Sequence, residues 1–495
     1  MGVMYLKKKG IKINLIYNII YQLLLIFLPL ISTPYISRIL GPEKIGIYSY
    51  TYSIAYNFML IIMLGVSNYG NRTIASVKED EEKLCKTFWS IYYFQLIRAV
   101  VLIIIYLISV TIFFDKYKFI FYLQSIYLFS GLLDISWFFF GMEEFKITVL
   151  KNIVIKILSI ISMFCFVKTE NDLWIYTLIM TTSTLLSQLY LWRYIKDKLK
   201  RQKFSFKELI PHIKPELILF IPVIAISLYK IMDKIMLGLL SNMEQVGFYQ
   251  NTEKLINIPL GLITALGTVM LPRMSNLLAK KEEKKVEKYI EKSMLFTSFL
   301  SNAFCFGLAG VSSIISIVFL GEKFMDCDKL ILYLSFSIIF LAWANVIRTQ
   351  YLIPKKMDKS YIISVFLGAF SNLIINFALI PRYHAFGAVI GTVIAEAVVC
   401  ISQTFFVSKK LNIKKYIYDF IPFFLFGLMM FITLKIVDKY IAYNTLSLIC
   451  MISIGALVYL SLSGIYMFLC KKDILLELLP KKNLKSHSAG EVNEK

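Results

Sequence analysis

The chain has 495 residues, of which 58% are hydrophobic and 17% charged, and its mean hydropathy is +0.68. Soluble domains run at about 45–50% and 25%, so neither a water-soluble enzyme nor a disordered chain fits this composition. The formal net charge of +22 would suggest nucleic acid in a soluble protein; in so apolar a chain it points to Lys and Arg gathered in cytoplasmic loops.

Lys7, Lys8, Lys9 and Lys12 precede an apolar run from Asn14 to Ile36. The run is longer than a signal-peptide core and lacks a small-residue cleavage site, so it reads as a first membrane crossing. At about 20 residues per crossing, the apolar runs predict fourteen helices. They lie near 14–36, 46–68, 87–113, 118–140, 147–167, 172–194, 216–240, 249–271, 293–319, 330–353, 360–381, 386–408, 417–437 and 446–470. The stretch 278–291 reads as a solvated surface helix, and the tail after Leu479 as disordered. Loop charges alternate along this map. Lys196, Lys198, Lys200, Arg201, Lys203, Lys207 and Lys214 crowd one even-numbered gap, and Lys280, Lys281, Lys284, Lys285, Lys288 and Lys292 another. The odd gap at 241–248 has no basic residue. The positive-inside rule then puts both termini in the cytoplasm.

The chain also repeats itself at an offset of 201 residues. Glu43-Lys44-Ile45-Gly46-Ile47-Tyr48 matches Glu244-Gln245-Val246-Gly247-Phe248-Tyr249. Arg72 matches Arg273, and Glu81-Glu82-Lys83 matches Glu282-Glu283-Lys284. This predicts a six-helix lobe over 1–194, a cytoplasmic linker at 195–215 marked by Pro211 and Pro215, and a second lobe over 216–408. Two more helices over 409–470 and a cytoplasmic tail over 471–495 follow. Six helices per lobe give both lobes one orientation, a parallel repeat about an axis along the membrane normal, with a cleft between the lobes suited to alternating access.

Polar groups inside the predicted spans mark that cleft. Gln250, Glu253, Lys254 and Asn257 share one helical face, and their repeat partners Ser49, Tyr52, Ser53 and Tyr56 share another; Asn14, Asn18 and Gln22 form a third stripe. Such stripes either bind a polar cargo or join helices by hydrogen bonds. Charges are more costly there, about 2.5–3.5 kcal/mol each at mid-bilayer. Lys230, Asp233 and Lys234 read as one face of the seventh helix, where one acid cannot neutralise two lysines. Arg98 lies in the third helix and Asp134 in the fourth, where each could pair the other. Arg348 in the tenth either faces the cleft or snorkels to the surface, and Glu396 lies in the twelfth. Cations exceed anions in this set, so an anionic cargo is expected. Arg38, Arg98, Lys230, Lys234, Lys254, Arg348, Tyr52, Tyr56 and Asn257 are the candidate cargo ligands. Asp134, Asp233, Glu253 and Glu396 are the candidate proton or sodium carriers. Gly387, Gly391 and Ala395 form a small-residue stripe for close helix packing.

The seven cysteines show no CxxC pair, and the three histidines no cluster; they predict no disulfide framework and no metal site. No P-loop, HExxH, GxSxG or GxGxxG motif is present, which lowers the case for an ATPase or hydrolase. No catalytic residue, cofactor or nucleic-acid partner is expected.

Ser37-Arg38-Ile39-Leu40-Gly41-Pro42-Glu43 with Ile45-Gly46, and Tyr69-Gly70-Asn71-Arg72 with Ile74-Ala75, resemble the N-terminal signature of Wzx-type flippases. Asp134-Ile135-Ser136-Trp137-Phe138-Phe139 with Gly141 and Glu143 looks like a second signature. Asp233-Lys234-Ile235-Met236-Leu237-Gly238 and Val246-Gly247-Phe248-Tyr249 look like its second-half counterpart. The resemblance covers most of helices one to twelve and departs from symmetry at Arg38, whose repeat equivalent is not basic. It implies the multidrug/oligosaccharidyl-lipid/polysaccharide exporter superfamily, with two six-helix lobes around a hydrophilic cavity. The implied activity is export of polyprenyl-pyrophosphate-linked repeat units of O-antigen or capsule across a bacterial plasma membrane. Implied partners are that lipid-linked oligosaccharide, the bilayer, a coupling proton or sodium ion, and polysaccharide polymerase and chain-length proteins. A multidrug or cation exporter of the same superfamily would want an acidic cavity, a membrane polymerase a larger outer loop, and a major-facilitator transporter twelve helices.

Overall fold

The computed structural model describes residues 2–195, 198–200 and 209–471, with side chains from Phe27 onward except at 145, 218, 219, 221–223, 225, 226 and 228–230. The tail after Leu479 lies outside the described residues. The fold is all-α. The first half of the chain holds α1 (Gly2–Met63), α2 (Val66–Val77), α3 (Glu81–Phe113), α4 (Lys118–Leu132), α5 (Ser136–Gly141), α6 (Phe145–Phe166) and α7 (Leu173–Trp192). The second holds α8 (Ile210–Leu240), α9 (Met243–Ala279), α10 (Glu283–Gly310), α11 (Ser312–Ile315), α12 (Cys327–Leu334), α13 (Ser337–Ile347) and α14 (Asp358–Val407). α15 (Ile413–Asp438) and α16 (Thr445–Cys470) close the chain. Among the described residues, ten helical stretches are long and apolar enough to cross a membrane.

The first two predicted crossings coincide with the two helical segments of α1, which part at a kink at Gly41 (φ 70°, ψ 174°), a conformation glycine reaches without steric cost. α14 likewise holds two predicted crossings on either side of a kink at His384 (φ 50°, ψ −129°). Other elements differ from the sequence reading. The predicted fourth helix breaks between Leu132 and Ser136, and the tenth divides into α12, α13 and a π-helical turn at Arg348–Leu352. The stretch 278–291 is not a separate surface helix. α9 runs to Ala279 and α10 starts at Glu283, because Val286, Ile290 and Met294 recur every four residues as a buried stripe that continues into the apolar part of the rod. Of the predicted linker, 210–215 already belongs to α8. Pro211 sits in its first turn, where the missing N–H costs no helical hydrogen bond.

The halves meet where the repeat-related segments cross. A Cβ on Gly46 would overlap the Met243 carbonyl, and one on Gly247 would overlap the Pro42 carbonyl. Both pairs are interchanged by the 201-residue offset. Ser49 Oγ donates to Gln250 Oε1 at 2.6 Å across the same offset. Each half thus presents the same glycine to the other's backbone, and both glycines are needed for the approach. Beside this crossing Lys323 of the second half pairs with Glu170 of the first, and Arg38 donates to the Val318 carbonyl. This seam lies at the end of the bundle that the loop charges assign to the outside.

Candidate functional site

Beyond the seam the halves part around a cavity of about 290 Å³. Its first-half wall is built on α1 after the Gly41 turn, where three-and-four spacing aligns Tyr48, Ser49, Tyr52 and Ser53 on one side. Tyr127 of α4 and Tyr176, Thr181 and Thr184 of α7 complete it. The rings brace one another: Tyr48 lies 4.8 Å edge-on from Tyr176, and Tyr52 lies 5.3 Å from Tyr127 and 5.9 Å from Tyr56. The opposite wall carries Lys234 of α8 and Gln250 and Lys254 of α9. Hydroxyls and ring faces therefore stand across from two ammonium groups.

A second cavity of about 290 Å³ lies within the second half, behind the lysines. Asp233, Glu253, Asn257, Asn345, Arg348 and Glu396 line it. Asp233 is 1% exposed. Its carboxylate accepts from the Tyr249 hydroxyl at 2.6 Å, from Thr392 Oγ1 at 2.9 Å, and from Asn376 Nδ2. Oδ1 of Asn376 is buried without a hydrogen-bond partner, and Gly391 is required beside it because a Cβ there would strike Asn376 Oδ1. This is the close packing expected of the Gly387–Gly391–Ala395 stripe. A buried carboxylate with hydroxyl and amide oxygens around it is a donor set for a proton or a hard cation. Among the described residues no three His, Cys, Asp or Glu side chains group as metal ligands.

The two cavities share one wall, and its sequence is Asp-Lys on α8 and Glu-Lys on α9. Consecutive residues on a helix point about 100° apart. Asp233 and Glu253 therefore line the second-half cavity while Lys234 and Lys254 line the one between the halves. Lys234 Nζ reaches back to Glu253 at 2.7 Å, and Lys254 Nζ lies 3.5 Å from Asn251 Oδ1. This corrects the reading of Lys230, Asp233 and Lys234 as one face: Asp233 turns inward and Lys234 pairs elsewhere. The Lys230 side chain and the Asn14, Asn18 and Gln22 stripe lie outside the described side chains.

The remaining candidates are dispersed. Tyr56 backs Tyr52. Arg348 and Asn257 line the second-half cavity instead of the inter-half one, Arg348 donating to Asn345 Oδ1 at 2.8 Å. Arg38 belongs to the seam. Arg98 does not pair Asp134; it donates to Glu216 at 2.9 Å and to the Ile62 carbonyl at 2.7 Å. Asp134 holds the break between α4 and α5, its carboxylate accepting from Ser136 N at 2.8 Å and its carbonyl from Gln95 and Trp137. Sequence reasoning passed over Tyr48, Tyr127, Tyr176, Asn372, Asn376, Thr392, His212 and Glu216. Tyr48 stands one turn before Tyr52, which was a usable signal. Glu216 opens an apolar run and has no partner within it. His212 bridges Tyr69 and Ser90 at 2.7 and 2.8 Å, tying the start of α8 to the first half.

The family described as polysaccharide biosynthesis protein matches residues 11–278, more than half of the chain. A protein of Escherichia coli (strain K12) described as "Putative O-antigen transporter" is 24% identical over 405 residues, 81% of this chain and 97% of its own length. The capsular polysaccharide biosynthesis protein CapF of Staphylococcus aureus is 23% identical over 389 residues, 76% of this chain and 93% of its own. The fold is similar to that of the lipid II flippase MurJ in an inward closed conformation, with a TM-score of 0.75 at 17% identity, covering 94% of this chain and 99% of that one.

Proposed function

We infer the function from two facts: the chain belongs to the polysaccharide biosynthesis protein family, and its halves enclose a cavity with hydroxyls on one wall and lysines on the other. It is a flippase that carries polyprenyl-pyrophosphate-linked oligosaccharide units from the cytoplasmic to the outer leaflet of a bacterial plasma membrane for surface polysaccharide synthesis. Each unpaired hydroxyl taken into hydrocarbon costs several kcal/mol, so such a head group does not cross unaided. The tyrosine wall supplies hydrogen bonds and ring faces for the sugars, and Lys234 and Lys254 supply charge for the pyrophosphate. The prenyl chain stays in lipid between the lobes, and no covalent step is needed. Polymerase and chain-length proteins take the product. A cationic drug finds two lysines at this position, so the multidrug reading is disfavoured.

Counting each rod as two at the Gly41 and His384 kinks and adding α7 and α8 to the ten apolar stretches supports fourteen crossings; an even number puts the termini on one side, and the loop charges favour the cytoplasmic one. The transport cycle then consists of parting the Gly46–Gly247 seam outward while the opposite end closes.

The shared wall suits coupling to a proton or sodium gradient. A phosphate drawing Lys234 away leaves Glu253 open to a cation, and a cation beside Glu253 releases Lys234 to a phosphate, a linkage that runs equally in both directions. Asp233 and Glu396 deepen the acidic side. The single observation that carries the assignment is the lysine pair facing the tyrosines. It is tested by flipping of a fluorescent lipid-linked oligosaccharide in vesicles. Transport that proceeds without ATP, stops with an uncoupler and is lost in Lys234→Glu/Lys254→Glu supports it; strict ATP dependence or full activity of the double variant overturns it.

A further inference from the structure

The second half carries a cavity of about 580 Å³ that belongs to neither site above. Ile339 and Trp343 of α13, Ile401 and Phe405 of α14, and Ile417 and Phe420 of α15 line it. Its polar atoms are already spent. Thr404 Oγ1 accepts from Trp343 Nε1 at 3.1 Å and donates to the Cys400 carbonyl at 2.7 Å, so the occupant has to be hydrocarbon. The groove opens sideways. Ile401, Phe405 and Ile417 are 64%, 73% and 49% exposed, and the main packing partners of these three helices are second-half elements and α16. It therefore faces lipid and not the path of the cargo.

One end of the groove is strongly basic. Ser408 closes the lining and is followed at once by Lys409 and Lys410; Lys414 precedes Ile417 by one helical turn. All three lysines are exposed, and no acid occurs between Ser408 and Tyr418. Lys415 is engaged with Glu291 at 2.5 Å and is not counted. Basic residues at the membrane surface draw anionic lipid head groups. An apolar slot ending in three exposed ammonium groups, of which Lys410 also feels the Glu283 carboxylate, has the chemistry of a phospholipid, tail in the slot and phosphate at the lysines.

We propose that the groove between α13, α14 and α15 is a binding site for an anionic membrane phospholipid, with its acyl chain against Trp343 and its head group on Lys409, Lys410 and Lys414. The site holds a resident lipid and is independent of the cargo assigned above.

The test places the full chain in nanodiscs containing phosphatidylglycerol or phosphatidylcholine with brominated chains, which quench nearby tryptophan. The difference between the wild type and Trp343→Phe isolates the emission of Trp343. The expected result is stronger quenching of Trp343 by the anionic lipid. Each of Lys409→Gln, Lys410→Gln and Lys414→Gln lowers that preference about fivefold, from a contribution near one kcal/mol per lysine at a membrane surface. In the unaltered protein, raising the salt concentration narrows the preference in the same way, which needs no variant to fold. Equal quenching of Trp343 by the two lipids, or a preference that survives both high salt and the triple substitution, overturns the proposal. So does displacement of the brominated anionic lipid by a polyprenyl phosphate but not by unbrominated phosphatidylglycerol.

Discussion

Replacing Lys254 by glutamine removes the less engaged of the two ammonium groups that face the tyrosine wall. Lys234 already holds Glu253 at 2.7 Å, whereas Lys254 lies 3.5 Å from Asn251 Oδ1, so Lys254 has more of its charge to offer a phosphate. Two unit charges 4 Å apart at an effective dielectric of about 20 interact by about 4 kcal/mol. Glutamine keeps one donor, worth about 1 kcal/mol. The substitution is therefore expected to cost about 3 kcal/mol of cargo binding, roughly a hundredfold. Lys234→Gln differs in kind, because it also leaves the Glu253 carboxylate unpaired beside the phosphates. Adding Glu253→Gln to it is expected to recover binding, while adding Glu253→Gln to Lys254→Gln is not. Binding is read by titrating a lipid-linked oligosaccharide into the purified protein, and export as surface polysaccharide in a strain lacking its own flippase, with the inserted amount of each variant measured in parallel. Wild-type binding by Lys254→Gln, or a Lys234→Gln defect that Glu253→Gln deepens, would refute this account of the wall.

Exchanging the neighbours, Asp233→Lys with Lys234→Asp, is expected to abolish export, since the two face different cavities; restored polysaccharide would mean that they act as a local pair. Asp233→Asn keeps the shape of the Tyr249–Thr392–Asn376 cluster and is expected to leave cargo binding within about twofold while removing the response of transport to an uncoupler, read in vesicles with and without the ion gradient. Gly247→Leu cannot fit against the Pro42 carbonyl and is expected to part the seam, seen as loss of cross-linking between cysteines placed at Glu170 and Lys323; undiminished cross-linking would show that the crossing is not close. Reporter fusions at Asn242 and Asp326 are expected to read outside, and at Lys200 and Lys284 cytoplasmic; opposite signals at any two sites would overturn the topology.

The apolar runs were enough to specify an all-helical membrane protein, because a backbone in lipid must satisfy its own hydrogen bonds and helices do so locally. The crossing of the halves was also legible in part. The 201-residue repeat pairs Gly46 with Gly247, and these are the residues that touch the opposite backbone. Lys234, Lys254 and Tyr52 were recoverable as well, since charge and polarity inside an apolar run are costly wherever they fall.

Direction and partnership were not legible. Residues 233 and 234 are neighbours in any reading, yet only the packing of α8 against α14 turns the acid into the second half and leaves the lysine facing the tyrosines. Arg98 and Asp134 were plausible partners by composition, but Arg98 finds Glu216, 118 residues away, and Asp134 is used to hold a helix break. Arg348 and Asn257, placed with the cargo by their polarity, line the acidic cavity. The sequence by itself therefore determined which residues bear the polar chemistry, because burial in lipid penalises every polar atom separately. Which of them meet was decided by the tertiary structure alone, because a helix fixes the angles between its own side chains and says nothing of the neighbour each will face.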